Sequence, residues 1–86
     1  MIRKMNEKRD KKRLIEIGER IRYVREQIVK ISQDELASRC DVTKGNLSMI
    51  ENGKKDFAFT TFLEIAQGLN IHPKKLLDKD FSFLKE

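Results

Sequence analysis

Between Ser32 and Gly53 the chain carries two helix starts and one helix stop, and few folds accommodate that spacing. Ser32 stands three residues before Glu35, so its hydroxyl can cap a helix while the carboxylate reaches back to the start, the reciprocal arrangement of a capping box. This predicts a helix over Gln33–Cys40. Asp41-Val42 is the only break before Thr43, a second N-cap whose hydroxyl can accept from the amide of Gly45 or Asn46. The helix that follows should stop at Asn52-Gly53, because glycine just past a helix adopts the left-handed conformation without a Cβ penalty. The stretch therefore reads helix, turn, helix. At about 100° per residue, Leu36, Ala37 and Cys40 share one side of the first helix. Leu47 and Ile50 share one side of the second, with Val42 leading in beneath them. These two sides can pack together.

The opposite side of the second helix carries Lys44, Gly45, Ser48, Met49 and Asn52, none of which a core needs. A short helix with a small, polar, mildly basic face has the dimensions to enter a DNA major groove, about 12 Å wide. A solvated helix in a small bundle would show the same periodicity, so the pattern alone leaves both readings open.

The residues Gln33-x-x-Leu36-Ala37, Val42-Thr43, Leu47 and Ile50-Glu51-Asn52-Gly53-Lys54 resemble the helix-turn-helix of the phage repressor and Cro superfamily, also called the xenobiotic-response-element-like (XRE) regulators. The likeness runs from about Ile17 to Leu77. It implies an all-α fold, a compact five-helix bundle of the lambda-repressor-like DNA-binding type. By the same resemblance, Lys44, Gly45, Ser48 and Met49 occupy base-reading positions, and Gln33, Thr43, Asn52, Lys54 and Lys55 match the phosphate-binding set. Arg25 and Glu51 match an ion pair that ties the first helix to the recognition helix. The chain also departs from the family. A glycine usually follows the first helix, whereas here Gln27-Ile28-Val29-Lys30-Ile31 runs one residue longer, and Phe57 stands where proline is common.

The flanks are read from pattern. Leu14, Ile17, Ile21, Val24 and Ile28 recur at 3, 4, 3, 4 spacing and predict one apolar stripe on a helix from about Leu14 to Val29. Phe62, Ile65, Ala66 and Leu69 predict the inner face of a fourth helix ended by Asn70. Pro73 suits the first turn of a fifth helix, Lys74 to about Lys79, and His72 reads as a surface or capping residue. The organisation expected is a basic N-terminal arm or helix extension over 1–13, the helix-turn-helix domain over 14–79 and a tail over 80–86.

Charge separates along the chain. Residues 1–30 hold eleven Lys/Arg and five Asp/Glu, whereas residues 31–86 hold eight and nine. A basic N-terminal third suits a polyanion, and nucleic acid is the commonest one. The 86 residues suffice for one small domain. No apolar run is long enough to span a bilayer and no secretory signal is visible, so a soluble cytoplasmic protein without membrane partners is expected. A single cysteine and a single histidine make neither a disulfide nor a zinc set. Cys40, on an inner helix side, reads as a small buried hydrophobe. No catalytic constellation is present, so neither an enzyme nor a cofactor is expected.

The expectation is a sequence-specific regulator of double-stranded DNA acting as a homodimer. One recognition helix reads too few base pairs to compete with a genome of other sites, and two copies favour an inverted repeat. The interface is expected from Leu76 and Leu77 of the fifth helix with Phe81, Phe83 and Leu84 of the tail. Phage repressors, restriction-modification controllers and antitoxins all belong among the stand-alone members this chain resembles, and polymerase or a toxin is a further partner they imply. The alternative is an antitoxin or adaptor module whose main partner is a protein.

Overall fold

The computed structural model describes residues 7–85, and among these there are five α-helices and no strand. Helix α1 spans Glu7–Tyr23, α2 Gln33–Arg39, α3 Lys44–Glu51, α4 Phe59–Leu69 and α5 Pro73–Leu76. A single 3-10 turn, Ser82–Lys85, follows. The basic segment from Glu7 to Arg13 is thus the beginning of α1, with Glu7 and Asp10 in the first turn, where carboxylates favour the helix dipole. The part of the expected arm in residues 1–6 lies outside the described residues.

The first helix does not end as its stripe predicts. After Tyr23 it passes into a π-helical stretch, Val24–Val29, closed by the Lys30 amide donating to the Arg25 carbonyl. A π turn holds one more residue than an α turn, which is where the extra residue of this segment goes. Side chains late in this turn consequently rotate off the earlier stripe. Val24 and its neighbour Arg25 are both buried, while Ile28, expected on the inner face, is exposed. Val29 and Ile31 pack against the core in its place. Lys30 then turns the chain in the left-handed region, φ 62°, at the position where a glycine would be unstrained.

Both motif caps form. Ser32 Oγ accepts from the Glu35 amide at 3.0 Å, and Thr43 Oγ1 accepts from the Asn46 amide at 3.2 Å. The Glu35 carboxylate, however, accepts from Arg39 one turn along rather than completing a box. Helix α3 ends with the Gly53 amide on the Ile50 carbonyl and the Lys54 amide on Met49, a Schellman closure with Gly53 at φ 69°. Helix α5 is one turn long, shorter than predicted. Its start is capped by His72 Nδ1, which accepts from the Lys74 amide at 3.0 Å. Its end is held by Arg20, which donates to the carbonyls of Leu76 and Lys75.

The core gathers Ile21 and Val24 from the first helix, Leu36, Leu47, Ile50, Ile65 and Leu69 from the next three, and Leu76 from α5. Cys40 lies at its edge, its thiol donating to the Leu36 carbonyl, and burial pushes that thiol up from its ordinary pKa. The close approach of α1 to α3 rests on Gly18. A Cβ there would fall against the Ile50 carbonyl oxygen and 2.8 Å from that of Glu51. On the far side of α1, the Glu16 carboxylate accepts from the Ser82 amide and hydroxyl and so holds the C-terminal turn.

Candidate nucleic-acid interface

Helices α2 and α3 each begin on a capped, solvent-facing turn, and their inner residues Leu36, Leu47 and Ile50 are almost entirely buried. Burying that side fixes what α3 presents outward. Lys44, Gly45 and Met49 are exposed and Ser48 is half-buried, so the four expected base-reading positions share the open face. Gly45 is informative because a Cβ added to it would meet nothing within 4 Å. Glycine inside a helix costs about 1 kcal/mol relative to alanine, and no neighbour in the protein requires it. Room for an approaching backbone or base is a use that would justify it.

The expected phosphate set divides. Lys55 donates from Nζ to Asn46 Oδ1 at 2.9 Å, which brings its charge beside the first turn of α3. Lys54 is exposed just past the helix end. Asn52 Nδ2 donates to the Ser48 carbonyl at 2.9 Å and closes the last turn. Thr43 is exposed at the α3 cap. Gln33 differs in that its amide nitrogen also donates within the protein, to Glu51 Oε1 at 2.9 Å. The second hydrogen of the amide is not used by this contact.

That scaffold is a buried cluster behind the recognition helix. Arg25 Nε donates to Glu51 Oε2 at 2.7 Å and Nη2 to Oε1 at 2.9 Å, while Nη1 reaches the Ile31 carbonyl at 2.8 Å. The hydrogen bonds to Glu51 hold the Arg25 guanidinium above its usual pKa against the cost of burial. Arg25 follows the buried Ile21 by four residues and so shares its inner side, at the start of the π turn. One carboxylate thus joins the first helix, the start of α2 and the end of α3.

The tail residues expected at an interface part company as well. Leu76 is fully buried and completes the core, so it has no surface to offer a second copy. Phe81 is nearly buried and meets Phe83 ring to ring at a tilt of 39°, and Phe83 lies under the Arg13 guanidinium at 4.9 Å. Leu77 and Leu84 are exposed. Phe59 and Leu63, one turn apart on α4, are also exposed, and Leu63 was not singled out from the sequence, although its i, i+4 spacing from Phe59 was legible. Asp34 was missed too. It stands on the first turn of α2 with its carboxylate 3.1 Å from Lys44 Nζ.

The matching family model, that of the helix-turn-helix domain, covers residues 18–80. The chain belongs to the Cro/C1-type (XRE) helix-turn-helix family. It is 33% identical over 61 residues to the control protein C.BamHI of Bacillus amyloliquefaciens, an alignment spanning 71% of this chain and 75% of that protein. It also superposes on the restriction-modification controller protein C.AhdI of Aeromonas hydrophila with a TM-score of 0.72 and 25% identity, covering 78% of this chain and 96% of that one. As a member of this family it is a DNA-binding transcriptional regulator. Among the described residues no helix is long and apolar enough to cross a membrane.

Proposed function

We propose that this chain is a controller-type regulator of a restriction-modification system, working in the cytoplasm as a homodimer on an inverted repeat. The likeness to two controller proteins, which covers most of each of them, is the observation that carries the reading. In this account α3 enters the major groove with Lys44, Ser48 and Met49 toward base edges and Gly45 giving close approach. Lysine donates to guanine O6 and N7, and methionine can meet a thymine methyl. Thr43, Asn52, Lys54 and Lys55 hold the phosphates on either side, fixing register without reading sequence.

The second copy docks on the apolar surface around Phe59, Leu63 and Leu77. These three large apolar side chains are 65%, 40% and 42% exposed. Phe59 and Leu77 border one shallow groove with Leu14, Ile17, Phe57 and Phe62. Two copies joined there would present two recognition helices about 34 Å apart, one turn of B-DNA, to half-sites centred about 10 base pairs apart. Bound across a promoter, such a dimer represses by occlusion.

Sedimentation of the protein with a labelled inverted-repeat duplex tests this reading. Two chains per duplex are expected, and Phe59→Glu with Leu77→Glu should yield a helical monomer that binds the duplex far more weakly. One chain per duplex, or a double variant that still sediments and binds as the parent does, would remove the dimer from the account.

A further inference from the structure

Asp34 sits on the face that the account above gives to DNA, where a carboxylate should be unwelcome. Phosphates repel it, and its ion pair with Lys44 is an unpromising source of stability because both side chains are largely exposed, 74% for Asp34 and 57% for Lys44. The pair is nonetheless well placed. Asp34 lies in the first turn of α2 and Lys44 in the first turn of α3, so the contact links the two helices of the motif at the ends that face outward together. Each helix end is capped, by Ser32 and by Thr43, which fixes where the two side chains depart from the backbone.

We infer that Asp34 and Lys44 act as one reading unit that recognises a single G·C base pair. In the major groove a guanine presents the O6 and N7 acceptors and its cytosine presents the N4 amino donor. O6 and N4 are hydrogen-bonded to each other, so they lie about 2.9 Å apart. On the protein, the Lys44 ammonium and the Asp34 carboxylate oxygen are 3.1 Å apart, a donor and an acceptor at nearly the same separation. Set edge to edge, Lys44 donates to guanine O6 while the cytosine amino group donates to Asp34, and the ion pair stays intact between them. Each partner keeps the other aimed. The reversed pair, and A·T in the orientation that sets adenine against Lys44, would put a donor against the ammonium and an acceptor against the carboxylate; T·A offers the same acceptor and donor, O4 and N6, but its methyl stands where guanine N7 takes a second hydrogen bond from Lys44.

The carboxylate adds a second effect. A lysine alone binds any phosphate nearby, so it strengthens specific and non-specific complexes alike. With Asp34 beside it, Lys44 carries little net charge toward the backbone and gains most where a base pair satisfies both groups. Asp34 is therefore a specificity-determining residue, and it contributes discrimination at the expense of general affinity.

This inference rests on α3 reading DNA, and the test separates the two. Binding-site selection is run on the parent, Asp34→Ala and Lys44→Ala, with circular dichroism to verify the helical content of each. The parent should select G·C in one orientation at one position per half-site. Asp34→Ala should lose that preference by about tenfold, the scale of one good base-pair contact, while binding random duplex more tightly than the parent. Lys44→Ala should lose the same position and bind random duplex no more tightly. A parent that selects no sequence would overturn the reading of α3 itself. A selective parent whose Asp34→Ala variant keeps the same consensus and the same ratio of specific to random binding would overturn the paired readout alone.

Discussion

Arg25 and Glu51 meet in a two-point contact, Nε to Oε2 at 2.7 Å and Nη2 to Oε1 at 2.9 Å, with only 7% and 1% of their side chains exposed. Glu51 is the last residue of the recognition helix and Arg25 lies in the π turn of the first, so the contact sets the angle at which α3 leaves the domain. Removing one partner leaves the other charged and buried, which costs about 3–5 kcal/mol. Glu51→Ala should lower the urea midpoint accordingly. Replacing both residues together, Arg25→Met with Glu51→Leu, should recover a large part of that loss, because no buried charge is then stranded.

Gly45 trades stability for access. No atom lies within 4 Å of a Cβ built there, so Gly45→Ala should raise folding stability by about 0.5–1 kcal/mol through helix propensity alone. The same methyl group would project from the face proposed to read DNA, and operator affinity should fall. Thermal melts and anisotropy on the one variant would show the two changes moving in opposite directions.

Lys30 is strained by its own Cβ. Its φ of 62° and ψ of 50° lie in the left-handed region, which costs a non-glycine residue about 1–2 kcal/mol. Lys30→Gly relieves that strain but gives the unfolded chain more freedom, so a net gain of about 0.5–1 kcal/mol is expected. Chemical denaturation of the variant checks it.

Acid should loosen the C-terminal turn first. Hydrogen bonds from the Ser82 amide and hydroxyl, helped by Lys79, hold the Glu16 carboxyl below its usual pKa. A group depressed in the folded state stabilises it fully above the ordinary glutamate value of about 4.3. That contribution disappears as pH falls through the lower folded value. The parent should therefore be more stable than Glu16→Gln at neutral pH, and the difference should shrink as denaturation is repeated toward pH 3.

The motif itself was legible because its signals are local. Ser32, Thr43 and Gly53 act through neighbours three or four residues away, and all three form the caps or closure their types predict. The stripe Phe62, Ile65, Ala66 and Leu69 was equally plain, since all four are buried on one face of α4. The π turn was only half visible. An extra residue before Ser32 could be counted, but whether it would extend a loop or swell a helical turn depended on how Val29 and Ile31 pack against the core. The Gln33 contact was hidden as well, since its partner Glu51 lies 18 residues away. Leu76 and Leu77 are adjacent and chemically identical, and only packing under Arg20 and α4 decides which is core and which is surface. Asp34 and Lys44 are ten residues apart on different helices, so their contact required the angle between those helices.

The central claim is that the outward face of α3 reads DNA sequence, and fluorescence anisotropy against a selected operator and a scrambled duplex of equal length tests it most directly. The parent should bind the operator at least 10³-fold more tightly than the scramble. Operator affinity should drop by about 10³ between roughly 50 and 200 mM salt if about six phosphates are engaged. Equal affinity for the two duplexes, or an operator affinity indifferent to salt, would contradict the account.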